Sequence, residues 1–347
     1  MLDFLLAHGL CPDSLLRRLI RRRLAHRLHM TTEPTEAEHR ATLERFAAEL
    51  RTMLIEPDPP LDEGPLAFHR LCLGPRLALS CCWFEQGNET LPAAEEAMLR
   101  LTAIRARLDD GQAVLDLGAG WGAFALWVAA RYPNSSVTAI CRTRPQKDFI
   151  EAEGIRLGLE NLTAVAADLN DFETASGSFD RILSLELFEQ LKNWPRLLAG
   201  LARWLRPEGL AFLQLFTHQR LAYHLAPRSS TDWLDRRFLP GAMMPSDDLL
   251  LHFQDDLRVL QHWRVDGRHY QRTAELWLEN LDRNRAAALT ALASAHGSKE
   301  ARARLLDRRI FFITCAERWG FRQGGEWIVS HYLLNKAGGH GPKSDHR

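Results

Sequence analysis

The stretch VLDLGAGWG over residues 114–122 constrains the fold of this chain more than any other. Its first half is a short apolar run with the character of a buried strand. Its second half sets Gly118, Gly120 and Gly122 at alternate positions, and an apolar helical stretch follows to residue 131. Glycine permits the positive φ and close backbone approach that a tight strand-to-helix turn needs. A strand turning directly into a helix is the opening of a βαβ unit.

The same alternation continues along the chain. SVTAICR (136–142) leads to a helical 145–158, and LTAVAAD (162–168) follows. FDRILSLEL (179–187) leads to a helical 193–204, and LAFLQLFTH (210–218) ends the run. Strands separated by helices of this length imply an α/β fold with a parallel, doubly wound, Rossmann-like sheet. Residues 1–50 read as helical and LIEPDPPLDEG (54–64) as a Pro- and acid-rich linker, so residues 1–64 form a helical N-terminal extension. The main domain is expected over 65–336. Within it, residues 228–257, with Pro240, Pro245 and the pairs Asp247–Asp248 and Asp255–Asp256, read as an insertion. VLQHWRV (259–265) resumes the sheet, two long helices are expected over about 270–295 and 298–320, and EWIVSHYLLNK (326–336) closes it. Residues 337–347 read as a disordered tail.

Composition narrows the setting. With 44 basic and 44 acidic side chains the net charge is zero, so no global attraction to nucleic acid is expected. No apolar run reaches the roughly 18 residues of a membrane span. The N-terminus carries an acid rather than a basic leader and does not read as a secretory signal. The six scattered cysteines lack zinc-ligand spacing, so no metal is expected and reduced thiols in a cytoplasmic protein are. One segment qualifies this. In LLRRLIRRRLAHRL, Leu16, Ile20, Leu24 and Leu28 recur every four residues among arginines, making a basic amphipathic helix over about 14–28. It either touches an anionic membrane surface or packs its leucines on the main domain. Oligomeric state is not legible.

Ligands of an open α/β sheet bind beyond the carboxyl ends of the strands. Here the glycines follow a G-x-G-x-G spacing and the strand before them contains Asp116. A dinucleotide pyrophosphate prefers backbone amides without an acid nearby, which disfavours a nicotinamide oxidoreductase. An acid suits a ligand with a cationic amino group, as in S-adenosylmethionine. The later strand ends support the same ligand. Gln146 lies near the ribose position; the ribose-binding acid usual at the end of that strand is missing, and Arg142 stands nearby. Asp168, Leu169 and Asn170 follow the third strand, near the adenine, and Glu186 follows the fourth.

Blocks outside this motif carry a more specific resemblance. SCCWFEQGNETLPAAEEAML (80–99), SLELFEQLKNW, HFQDD…HWRVDGRHYQRTAELWLENLD and GGEWIVSHYLLNK (324–336) resemble the cyclopropane fatty acid synthase superfamily, most of all its coclaurine N-methyltransferase-type branch. The resemblance implies a class I methyltransferase fold, whose seven-stranded sheet has an antiparallel last strand, and S-adenosylmethionine as methyl donor. One branch methylates lipid acyl double bonds with a bound bicarbonate as base, and the residues holding it match Cys81, Glu189, His218 and Tyr270. The other methylates amine nitrogen through an E-x-x-E-H motif. That motif reads Glu186-Leu187-Phe188-Glu189-Gln190 here, with glutamine in place of histidine.

Histidine exchanges a proton near neutral pH and glutamine does not. A carbon acceptor needs a base, and bicarbonate on Glu189, His218 and Tyr270 would supply one. The expectation is therefore methyl transfer to a hydrophobic acceptor, with lipid acyl-chain methylation or cyclopropanation leading. A small-amine N-methyltransferase is the alternative, and a catalytically silent cofactor-binding protein a third. Glu189 and Glu186 are the expected catalytic carboxylates. His269 and His224 rank below His218 and Tyr270. Trp83 and Phe84 are expected to cover the cofactor. Most of the ten tryptophans read as core, a few as lining of an apolar substrate cavity.

Overall fold

The computed structural model describes residues 11–30, 35–53, 64–168, 172–225 and 241–338. Four helices come first: α1 (Asp13–Met30), α2 (Glu36–Thr52), α3 (Leu66–Cys72) and α4 (Leu91–Arg105). Then β1 (Ala113–Leu117), α5 (Ala123–Arg131), β2 (Ser136–Cys141), α6 (Arg144–Leu157), β3 (Leu162–Ala166), β4 (Phe179–Leu185), α7 (Trp194–Trp204) and β5 (Leu205–His218) alternate. A small hairpin of β6 (Tyr223–His224) and β7 (Met243–Met244) precedes β8 (Leu257–Val265). Three helices follow, α8 (Gly267–Arg283), α9 (Arg285–His296) and α10 (Ser298–Trp319), before β9 (Trp327–Lys336).

The seven-stranded sheet runs β3-β2-β1-β4-β5-β9-β8. β1 to β5 are parallel, and β9 lies antiparallel between β5 and β8. Successive residues of β1 point to opposite faces. Val114 joins Phe124 of α5 and Ile150 of α6, whereas Leu115 joins Leu198 and Leu201 of α7. Both faces are thus buried, which explains why β1 reads as a continuous apolar run. The chain reverses direction across the sheet between β1 and β4, and a crevice opens there.

Three local expectations change. The helical stretch from 270 breaks at Asn284, whose side chain donates to the Leu71 carbonyl at 2.8 Å, so three helices replace two. The break is a tertiary contact without a proline or glycine to announce it. The strand read as 210–218 begins at Leu205, directly after α7. Of the 228–257 segment, residues 228–240 lie outside the described residues. The remainder buries Met243, Met244, Leu249, Leu250 and Phe253, and is core.

The basic helix is docked. Leu16, Ile20 and Leu24 of α1 are buried in the same core as Ile310, Ile313 and Trp277. Arg17 donates to Glu275 at 2.6 Å and to Glu317 at 2.8 Å, and Arg21 also bonds Glu317. The leucine stripe of this helix lies in a protein core, so the packing alternative describes it. No described helix is long and apolar enough to cross a membrane.

Candidate active site

The glycines of the β1–α5 turn have three different jobs. All have positive φ: +85° at Gly118, +54° at Gly120 and +80° at Gly122. A Cβ on Gly118 would meet Leu187 at 2.8 Å, and one on Gly122 would meet Ile150 at 2.7 Å. Those two positions are bare so that β4's exit and α6 can approach. Gly120 has nothing within 4 Å of such a Cβ and faces open space. That space is a cavity lined by Leu77–Ser80, Leu99, Asp116, Gly118–Trp121, Arg142, Gln146 and Leu185–Leu187, with Gln190 at one side.

Asp116 is 2 % exposed and its Oδ2 has no hydrogen-bond partner among the described residues. Burial pushes its carboxyl up to about 7, against a hydrogen bond from the Ala125 backbone. Such an acid is relieved by a cation. Gln146 is buried, but its Oε1 accepts from the backbone N–H groups of Arg142 and Thr143, both at 3.2 Å, completing a capping box at the start of α6. Its carbonyl therefore shapes the cavity wall. Asp168 lies exposed beyond β3, and Leu169 and Asn170 lie outside the described residues.

Next to this cavity, at the ends of β4 and β5, stands a dry acid cluster. Glu186 adopts φ +52°, a conformation costly to a side-chain-bearing residue. Its backbone N–H donates to the Gln214 carbonyl at 2.7 Å. Its Oε1 accepts from the Cys81 backbone N–H and the Gln214 amide, both at 2.9 Å, and its Oε2 accepts from the Tyr270 hydroxyl at 2.8 Å. Burial raises its proton affinity, and these three donors oppose the rise. Glu189, 0 % exposed, follows on a short 3₁₀ turn. Its Oε1 accepts from the Phe216 N–H, and its Oε2 has no partner among the described residues. Burial, then the Glu186 charge, push the Glu189 carboxyl well above the usual range.

The bicarbonate arrangement is corrected by this geometry. Tyr270 and Cys81 serve Glu186, not Glu189. His218 turns elsewhere: its Nδ1 accepts from the Arg220 and Leu221 N–H groups at 3.0 Å, and its ring packs edge-on to Trp327. Burial, with Arg318 and Arg27, lowers its pKa to about 3, so it stays neutral. Glu189, His218 and Tyr270 thus do not converge on one anion. The Cys81 thiol, pushed up by burial and Glu186, stays protonated and contributes its backbone. Trp83 and Phe84 do not cover the cofactor cavity. They line a separate cleft with His269, which stacks on Trp83 at 4.2 Å. His224 pairs with Glu49 at 3.0 Å, away from the cluster.

Gln214 was missed. Its signal was available, as one polar residue inside the apolar run LAFLQLF. Trp121 and the Leu77–Ser80 loop, also in the cavity wall, carried none.

Together these features define a class I S-adenosylmethionine-dependent methyltransferase. The site fits that cofactor: an unpartnered buried acid for its cationic groups, a glycine opening onto free space, and apolar walls from Leu77, Leu99, Leu187 and Trp121. Residues 65–300 match the family described as mycolic acid cyclopropane synthetase, and the chain belongs to this methyltransferase family. It is 37% identical to (S)-coclaurine N-methyltransferase of Thalictrum flavum subsp. glaucum over 94% of this chain and 93% of that protein. It is 32% identical to pavine N-methyltransferase of the same plant, over 95% and 94% of the two chains. Cyclopropane-fatty-acyl-phospholipid synthase of Escherichia coli (strain K12) is 28% identical, over only 63% of this chain and 54% of its own length. The crystal structure of coclaurine N-methyltransferase bound to N-methylheliamine and SAH superposes with a TM-score of 0.93 at 38% identity, covering 96% of this chain and 99% of that one. The cyclopropane synthase MmaA2 of Mycobacterium tuberculosis shares the fold, at a TM-score of 0.62 and 21% identity over 79% of this chain and 94% of its own.

These similarities overturn the lipid expectation. The nearly full-length matches are to amine N-methyltransferases, and the lipid enzymes match more weakly and over less of the chain. The basic helix, docked on the domain, lends a lipid acceptor no support.

Proposed function

We propose that this enzyme methylates the nitrogen of a hydrophobic small amine of the ring-alkaloid type. The observation that carries this reading is the fully buried Oε2 of Glu189, without a partner among the described residues and within reach of the Glu186 charge. Burial and the Glu186 charge raise the proton affinity of Glu189, so a proton rests there in the free enzyme. An ammonium entering the site takes over as counter-charge, and the proton held at rest leaves to solvent, so Glu189 is an empty carboxylate when the amine is seated. The amine relatives at 32–37% identity support the same class.

S-adenosylmethionine supplies the electrophilic methyl on its sulfonium. Glu189, with raised proton affinity, takes the proton of the incoming ammonium and leaves a neutral amine with a free lone pair. The methylated product is again a cation, and the Glu186 charge favours it electrostatically. Cys81, Gln214 and Tyr270 fix Glu186 so that Glu189 keeps one orientation. Holding the nitrogen in line with the methyl carries much of the remaining acceleration.

The test is labelled methyl transfer into a panel of secondary and tertiary ring amines beside a phospholipid extract. Label in N-methyl products supports the proposal. Label confined to acyl chains overturns it.

A further inference from the structure

The residue that replaces the family histidine does not face Glu189's free oxygen. Gln190 lines the cofactor cavity, where its Oε1 accepts from Arg142 Nη2 at 3.3 Å and its Nε2 donates to the Glu186 carbonyl at 3.4 Å. Arg142 is the first residue after β2, at the strand end where nucleotide-binding α/β folds hold the ribose. An acid commonly accepts there from the sugar hydroxyls. In this chain β2 ends on Cys141 without an acid, and Arg142 follows it with a guanidinium. Its Nη1 is buried and has no hydrogen-bond partner among the described residues. A buried N–H left unpaired is costly, and a site built around one is built for an acceptor.

We propose that Arg142 is a cofactor-binding residue that donates to the ribose hydroxyls of S-adenosylmethionine, and that Gln190 is the positioning residue that aims it. The polarity of the contact is reversed relative to an acid: the sugar oxygens accept. Gln190 suits this task because its amide accepts from a cation and donates to a carbonyl at the same time, at any pH. An imidazole at 190 loses its acceptor whenever it is protonated, and a protonated imidazole repels the guanidinium. The missing histidine is thus linked to Arg142 and to the cofactor, independently of which acceptor is methylated.

The experiment is calorimetric binding of S-adenosylhomocysteine, its 2′-deoxy and 3′-deoxy analogues and 5′-methylthioadenosine, to the full chain and to Arg142→Ala and Arg142→Gln. In the unaltered protein, loss of the contacted hydroxyl weakens binding about tenfold, as for a lost charge-assisted hydrogen bond. In either variant, the parent ligand weakens about tenfold and the same deoxy analogue loses no more than about twofold further. 5′-Methylthioadenosine, which lacks the amino-acid end, weakens as much as the parent. The proposal is overturned if neither deoxy analogue is coupled to Arg142. It is equally overturned if the variants bind 5′-methylthioadenosine normally, since the guanidinium then serves the carboxylate. For Gln190, Gln190→Ala raises the cofactor KM about threefold with kcat unchanged, and Gln190→Glu, which still accepts from Arg142, restores it. A kcat loss without a KM change removes Gln190 from the proposal.

Discussion

The two clusters at the top of the sheet are built in opposite ways. The cofactor side, at β1 and β2, is made of backbone turns, one glycine facing open space and polar groups without partners among the described residues, Asp116 Oδ2, Arg142 Nη1 and Trp121 Nε1. The acceptor side, at β4 and β5, is dry, and of its two carboxylates only Glu189 keeps an oxygen without a partner among the described residues. There Glu186 has all its donors inside the protein, from Cys81, Gln214 and Tyr270, and sits in a strained backbone conformation that holds it still. An open site takes its partner from the ligand. A dry site sets proton affinities in advance, because burial and a neighbouring charge act before anything binds. Binding and chemistry should therefore respond separately to substitution.

The largest separation is expected at Glu189. Glu189→Gln removes the proton acceptor while preserving shape, and turnover falls by about 100-fold or more, in the range of a lost general base. The affinity for S-adenosylhomocysteine stays within about twofold, as measured by calorimetry. A large loss of cofactor affinity breaks the division between the two sides.

The glycines split within the cofactor side. Gly120→Ala places a Cβ into open ligand space, so cofactor affinity falls about tenfold while the strain of positive φ costs stability only about 1–2 kcal/mol. Gly118→Ala adds the Leu187 overlap to the same strain, so its loss of thermal stability exceeds that of Gly120→Ala. Melting curves with and without ligand check both, and equal destabilisation would merge the two roles.

Tyr270→Phe takes one donor from Glu186. Its carboxyl then rises further, and the acidic limb of the rate profile moves to higher pH, with kcat down about tenfold near neutrality. An unchanged profile would make Tyr270 a packing residue, as its 4.3 Å contact with Trp319 alone suggests.

The smallest effect is a pH dependence of binding. Asp116 is raised to about 7 in the free protein, so it is neutral below that pH and charged above it. A cationic ligand pairs with the charged form only. Affinity for S-adenosylhomocysteine therefore rises several-fold from pH 6 to pH 8, and Asp116→Asn flattens the rise. A flat profile in the unaltered protein would place the cation elsewhere.

Much of the cofactor side was legible beforehand, because its signals are local. A strand, a glycine turn and a helix follow one another in the chain, and Asp116 and Arg142 lie within or directly after strands. The acid cluster was legible only in part. Glu186 and Glu189 sit in one motif, but Cys81 and Tyr270 lie 105 and 84 residues from Glu186, and sequence assigned them to Glu189 and a bicarbonate. His218 lay on the right strand, yet its ring is claimed by the turn that follows. Gln214, two turns of the pleat earlier on the same strand, points to the acid.

What the sequence determined by itself is the alternating α/β order, the turn at Gly118–Gly122 and the superfamily, because these depend on neighbours in the chain and on period. What only the tertiary structure decided is which polar atoms meet. Leu16, Ile20 and Leu24 of α1 face a core rather than a surface. Tyr270 donates to Glu186 rather than to a bound bicarbonate, and Gln190 turns to Arg142. Each such choice depends on which side chain lies within hydrogen-bond reach across the fold, and sequence spacing carries no information about that distance.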